Sequence, residues 1–327
     1  MIVRNGYLIE EEYFGKDASN VIVPVYSVTK SITSTLIGIA IDKGYLEGVD
    51  QKVLDFFPNR TFENMDHDKQ NITIAHLLTM TSGLEWNEWY VSYSDPSADF
   101  RIMRDTANDW VQYVLDKPMV TSPGTIFNYN SGSSHLLSAI IQEIYGDTME
   151  TFAMKFLFSA LNITNYIWRK DPQGITQGDS FLSLTARDMA KIGYLYFHNG
   201  TWEDSQILSK EWINTATDRL VLSTQSAPYS YGYLWWITNP SNSVRHFMAR
   251  GWNGQQIYVI PEKDLIVVFT SDEPSFGLIL GKTLPEHFII PSTEYTSAKK
   301  SNYTNMIILL TAIFVALKYK RREKKNL

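Results

Sequence analysis

Ser27-Val28-Thr29-Lys30 sets a hydroxyl and an amine three residues apart. On a helix, positions i and i+3 share a face, so the amine reaches the hydroxyl. A serine at a helix N-terminus also lies at the positive end of the dipole, which favours an oxyanion there. A lysine buried at the floor of a cleft has its neutral form favoured, and a neutral amine accepts the hydroxyl proton. The spacing is not specific, because Ser297-Ala298-Lys299-Lys300 repeats it in a linker-like stretch. Only the first pair follows an expected strand and opens an apolar helix. An N-capping serine beside a solvated lysine is its competing reading. A second group lies in Pro123–Gly132, where Tyr129 and Ser131 would place a phenol and a hydroxyl into one cleft from a loop. Tyr90–Ser92 and Tyr303–Asn305 share that spacing, so spacing alone decides nothing. A third group, Ala249-Arg250-Gly251-Trp252-Asn253-Gly254-Gln255, sits on an expected strand running into a glycine-containing edge. Glycines there let a substrate approach the backbone and take its N–H groups.

Other chemistries are excluded. The chain has no cysteine, hence no disulfide, thiolate metal site or cysteine nucleophile. Its six histidines lack zinc-ligand spacing, and neither a metal nor a cofactor is expected. Gly178-Asp179-Ser180-Phe181-Leu182 resembles the nucleophile block of the SGNH esterases, but that block belongs early in a chain with a late Asp-x-x-His, and no Asp-x-x-His occurs. Gly277–Thr283 resembles a P-loop but is one residue short between its glycines. The formal charge of −6 is uneven: residues 296–327 carry eight basic side chains and one acidic, leaving 21 basic against 34 acidic, or −13, in the body. An acidic body argues against nucleic acid as partner. Trp86, Trp89, Trp235, Trp236 and Trp252 could line a cleft, although packing is the commoner role of a tryptophan.

The elements that position these groups follow from patterning. Asn5-Gly6 reads as a hairpin turn between two apolar strands. Ser27–Lys43 reads as a helix ending before Gly44, and Ile74–Met80, Asp109–Leu115, Ser133–Tyr145 and Ala186–Phe197 read as further helices. Tyr231–Thr238, Ser243–Ala249, Gln256–Ile260 and Asp264–Thr270 are β-rich runs joined by short turns, which implies antiparallel neighbours, and 276–290 reads as a closing helix. Strands at both ends flank a helical middle. The expected class is α+β: an antiparallel sheet flanked by helices, a mostly helical insertion over about 56–178, and a C-terminal transmembrane helix.

That last helix is expected over 303–319. Seventeen uncharged residues, 301–317, precede Lys318, Lys320, Arg321, Arg322, Lys324 and Lys325. The division expected is a 1–295 domain, a 296–302 linker, the span, and a basic cytoplasmic tail over 320–327, with the body outside the cytosol. No signal peptide opens the chain, and the conflict is met by expecting residues missing before Met1.

Taken together and in this order, the three groups resemble the serine hydrolases of the class C β-lactamase and penicillin-binding-protein-like family. His76–Leu84, Leu184–Ala190 and Tyr258–Glu262 resemble it too, so the likeness covers roughly 1–290. Its nearest branch is the 6-aminohexanoate-oligomer hydrolases and related esterases, where Tyr-x-Ser replaces Tyr-x-Asn. The resemblance implies Ser27 as acylated nucleophile, Lys30 as its proton-relay partner, and Tyr129 as the proton shuttle to the leaving group. Ser131 takes the place of the motif's Asn. Ala249-Arg250-Gly251 falls where the family has Lys-Thr-Gly or His-x-Gly, and the N–H groups of Trp252 and Ser27 would form the oxyanion hole. Without Lys or His at 249 the usual carboxylate anchor is missing, which argues against β-lactams and peptide carboxylates. The expected activity is hydrolysis of a small amide or ester without cofactor. The alternative is a catalytically weak penicillin-binding-like module that binds or senses cell-envelope material. Which of Lys30 and Tyr129 is the base, the acyl and leaving groups, and the oligomeric state stay open.

Overall fold

The computed structural model describes residues 1–13, 19–223, 225, 229–238, 244–272, 289, 290 and 293. The chain divides into two compact units, 1–277 and 278–327, and the three groups of candidate residues all lie in the first.

Three strands open the chain, β1 Ile2–Arg4, β2 Tyr7–Glu10 and β3 Val23–Pro24, with Asn5 and Gly6 both at positive φ in the tight turn between the first two. Helix α1, Val28–Asp42, follows. The helical stretch then holds α2 His67–Gln70, α3 Ile74–Leu78, α4 Asp99–Asp105, α5 Trp110–Leu115, α6 Ser131–Tyr145 and α7 Met149–Ala153. Two short strands, β4 Ile167–Trp168 and β5 Leu182–Leu184, pair with β3 in the order β3-β5-β4. Helix α8, Ala186–Phe197, the β6 Thr201–Trp202 and β7 Ser205–Gln206 ribbon, and α9 Lys210–Ala216 come next. The chain returns to the sheet with β8 Val221–Leu222, β9 Tyr229–Tyr231, β10 Trp236–Thr238, β11 Phe247–Arg250, β12 Gln256–Ile260 and β13 Leu265–Phe269.

Among the described residues the main sheet is antiparallel throughout, in the order β2-β1-β13-β12-β11-β10-β9-β8. The first and last strands are therefore neighbours near one edge of the sheet, Ile2 opposite Val267. The α8 helix packs against β12 and β13, and Gly193 lets the Ile257 and Ile266 side chains approach its backbone.

Helix α1 runs through the centre, with every residue from Val28 to Ala40 buried. Its hydroxyl-rich sequence survives burial because three of its hydroxyls, on Ser31, Thr33 and Thr35, are satisfied by carbonyls, while those of Thr29 and Ser34 are not. Thr33 and Thr35 donate back to the carbonyls of Thr29 and Ser31, while Ser31 and Thr33 reach out to the carbonyls of Leu234 and Gly178.

Patterning placed several elements at or near their observed bounds, and three differ in ways that matter to the site or the sheet. Helix α6 starts at Ser131 rather than Ser133, because Asn130 accepts the Ser133 N–H as N-cap; Ser131 therefore stands on a helix and not on a loop. The run Tyr231–Thr238 is two strands, since Gly232 lies so close to the Ala216 carbonyl that a Cβ would sit 2.1 Å from it, and Leu234 turns the chain at positive φ. In the described part of Ser243–Ala249, from residue 244 on, the strand is Phe247–Arg250. The 276–290 helix falls almost wholly outside the described residues.

The transmembrane part of the expected fold class is corrected. Among the described residues no helix is long and apolar enough to cross a membrane. The longest, α1 and α6, have 15 residues, about 22 Å of rise against the ~30 Å of a bilayer core. The 303–319 segment lies outside the described residues, and its nearly all apolar core, 306–317, would rise only about 18 Å as a helix. The class that stands is α+β, antiparallel sheet with helices. The membrane partner and the membrane-anchored, extracytoplasmic location, which rested on that segment, fall with it.

Candidate active site

The turn from β3 into α1 fixes Ser27. Val25 donates its N–H to the Leu182 carbonyl of β5 at 2.9 Å, and Tyr26 takes a positive φ of 48°. A non-glycine residue in that region is strained, and such strain clusters at functional sites. Ser27 is the N-cap of α1, but its side chain makes no capping hydrogen bond. Lys30, one turn on, is almost fully buried. The reading of the pair as a helix cap and a solvated lysine therefore fails.

Lys30 Nζ donates to Ser27 Oγ at 3.2 Å, to Ser131 Oγ at 3.0 Å and to the Asp179 carbonyl at 2.9 Å. It lies 5.0 Å from the centre of the Tyr129 ring. Tyr129 is held between aromatic neighbours, near-parallel to Trp236 at 6.0 Å and tilted against Trp89 at 5.3 Å. Gln225 accepts the Tyr129 N–H, and the Trp89 indole donates to the Gln225 carbonyl. Of the tryptophans singled out by sequence, Trp86, Trp235 and Trp236 are buried, whereas Trp252 is 44% exposed.

The third group arrives from the sheet. Gly251 ends β11 against the β3–α1 turn, and a Cβ there would stand 2.3 Å from the Val25 carbonyl oxygen. Trp252 follows, its ring edge-on to Tyr26 at 5.5 Å. Among the described residues no backbone carbonyl takes the N–H of Ser27 or of Trp252. Ala249 is fully buried, and Arg250 lays its guanidinium over Tyr229 and Trp236, each at 5.4 Å, with Nη1 unpartnered.

Two residues here were not singled out from sequence. Glu88, in the connection before α4, is buried and accepts from Ser131 Oγ at 2.7 Å, Ser131 N–H at 2.9 Å and the Trp86 indole at 2.7 Å. Asp179 contributes its carbonyl to Lys30; it belongs to the segment rejected as an SGNH block, and nothing in the site restores that chemistry. The one sequence hint of Glu88 was a carboxylate between aromatics, Trp86-Asn87-Glu88-Trp89-Tyr90.

Burial dominates the electrostatics. It pushes the Lys30 ammonium below the usual lysine range, opposed by Glu88 and Asp179. It pushes the Glu88 carboxyl up, opposed chiefly by Lys30 and Ser131. The Tyr129 phenol is raised by burial first and Glu88 second, with Ser27 and Arg250 pulling the other way. A cavity of about 230 Å³ between Tyr90, Val120, Ile126 and Gln225 is lined by none of Ser27, Lys30 or Tyr129. Among the described residues no cluster of His, Asp and Glu could hold a metal ion.

An antiparallel sheet built from both chain ends, with Ser27 and Lys30 on the buried central helix, defines the class. The chain matches the beta-lactamase family over residues 1–277 and belongs to it. It is an enzyme, a serine hydrolase of the β-lactamase fold. The 6-aminohexanoate-dimer hydrolase of Paenarthrobacter ureafaciens is 23% identical over 303 residues, 84% of this chain and 72% of that protein. Among solved structures, EstCE1, a hydrolase with promiscuous acyltransferase activity, matches with a TM-score of 0.74 at 15% identity, covering 90% of this chain and 92% of that one. An octameric penicillin-binding protein homologue from Pyrococcus abyssi matches with a TM-score of 0.65 at 21% identity, covering 85% and 72%.

Proposed function

We propose that this enzyme cleaves a small amide or ester through an acyl-enzyme on Ser27. The observation that carries the reading is Lys30, buried and hydrogen-bonded to Ser27 Oγ. Ser27 attacks the carbonyl carbon while its proton passes to the Lys30–Tyr129 pair. Tyr129 delivers a proton to the leaving group, and water then releases the acyl group. The N–H groups of Ser27 and Trp252, at the end of β11 that Gly251 allows close, receive the oxyanion. Ser131 holds Lys30 by accepting from its Nζ at 3.0 Å. The dimer hydrolase and EstCE1 support amides and esters as the substrate class.

A fluorophosphonate probe tests the reading. Wild type is expected to be labelled covalently, and Ser27→Ala is expected to lose the label. An unlabelled wild type would overturn the reading in favour of the non-catalytic, penicillin-binding-like module.

The strand by Ser27 bears on β-lactams. Ala249 offers no charge, and His246 is buried, held neutral by burial, with Nδ1 on the Val244 carbonyl. One missing charged hydrogen bond costs roughly 1.5–3 kcal/mol, so kcat/KM for nitrocefin is expected at least ~10-fold below that for short p-nitrophenyl esters. Equal efficiency would assign the carboxylate anchor to Arg250.

A further inference from the structure

The Lys30–Ser131–Glu88 chain extends the site one shell beyond the residues that would meet substrate. Lys30 Nζ has three acceptors, the full complement of an ammonium. The Glu88 oxygens take three donors, which suits an ionised carboxylate. Glu88 also sits at the N-terminus of the 15-residue helix α6, whose dipole favours an anion there. The Ser131 hydroxyl joins the two, accepting from Lys30 and donating to Glu88, so a buried ion pair is bridged by one side chain. The loop bearing Glu88 is pinned just before it. The Asn87 N–H donates to Asp99, and the Asn128 amide donates to the Trp86 carbonyl. Gly132 lets the Trp86 ring pack over the start of α6, since a Cβ would meet it at 3.0 Å.

Resting on the acyl-enzyme reading, we infer that Glu88 is a positioning residue, the buried counter-charge that, through Ser131, sets how tightly the Lys30–Tyr129 pair holds the proton taken from Ser27. In the step it serves, the Ser27 O–H bond breaks, the base gains the proton, and the Ser27 oxygen pair forms the bond to the acyl carbon. The carbonyl π electrons move to the oxygen in the oxyanion hole. A fixed anion beside the base stabilises the charge that the proton brings to Lys30. It also raises the proton affinity of Tyr129, so its effect has one sign whichever of the two is the base. The other groups facing the pair are Asp179, acting in the same sense, and Arg250, acting on Tyr129 in the opposite one. The phenols of Tyr93 and of the buried Tyr231 both feel Glu88 and stay neutral.

The test is the pH dependence of the fluorophosphonate labelling rate in wild type and Glu88→Gln, which keeps the shape and removes the charge. An opposite charge within about 4–6 Å shifts a proton affinity by roughly 1–3 units. The acid limb of Glu88→Gln is therefore expected about one pH unit or more lower, with a slower alkaline plateau because the base is weaker. Glu88→Asp should bring the limb back towards wild type. A limb in Glu88→Gln that stays put, or moves up, overturns the inference while a labelled wild type keeps the hydrolase reading. Should Glu88→Gln fail to fold, Ser131→Ala replaces it. That variant cuts the bridge, so its limb should also fall; limb and plateau both unmoved would show the bridge idle and overturn the inference. An unlabelled wild type overturns the nucleophile assignment and the role of Glu88 together.

Discussion

Lys30→Ala is expected to lower kcat on a short ester by at least ~10²-fold, the low end for loss of a positioned proton-transfer group. The reason is geometry: Lys30 Nζ is hydrogen-bonded to Ser27 Oγ at 3.2 Å. The variant also strands Glu88 as an uncompensated buried anion, and breaking a buried pair from one side costs about 3–5 kcal/mol. A lower Tm would therefore confound activity with folding. The double variant Lys30→Ala/Glu88→Gln separates the two: removing both charges should recover much of the Tm while activity stays lost. Turnover above half of wild type in either variant would remove Lys30 from the mechanism.

Gly251→Ala is expected to cost nearly as much without touching any proposed proton-transfer group. Its Cβ would lie 2.3 Å from the Val25 oxygen, 3.1 Å from the Gln255 Cβ and 3.3 Å from the Tyr26 Cβ. None of these is a flexible side-chain end, so the strand and the turn must part. Parting them separates the Trp252 N–H from the Ser27 N–H, and a misplacement of about 1 Å can cost ~10²-fold in rate. Ester kcat/KM and Ser27 labelling should fall together by about that factor. Gly48→Ala, where a Cβ meets nothing within 4 Å, is the control expected to stay within about twofold of wild type. If Gly251→Ala matched that control, the closeness of β11 to the α1 turn would be irrelevant to turnover.

What the sequence made legible was local. Burial of one helix face or of whole strands leaves a short-period signal, which is why Ala186–Phe197 and Gln256–Ile260 emerge with the bounds they have in the structure. The family too was readable, because its motifs are short and ordered. The residues proposed for the chemistry lay in those motifs, and the fold brings Ser27, Lys30 and Ser131 into hydrogen-bond contact with Tyr129 alongside. The membrane segment shows the weakness of a composition signal alone: an apolar run with a basic end carried a location that no described helix supports.

Other features belong to the tertiary structure alone. Glu88 lies 43 residues from Ser131, and Asp179 lies 149 from Lys30. Nothing within a helical turn or a strand repeat relates such positions. Which carboxylate or carbonyl meets a buried lysine is settled where distant segments cross, by the cost of leaving a buried charged group without partners. The break of the strand at Gly232 has the same origin, the approach of the Ala216 carbonyl, whereas the early start of α6 is local, set by the cap from Asn130 three residues before Ser133. Sequence specified the elements and the reactive side chains, because those depend on a residue and its near neighbours. The charge balance around Lys30 depends on which loops close over it, and only the assembled fold decided that.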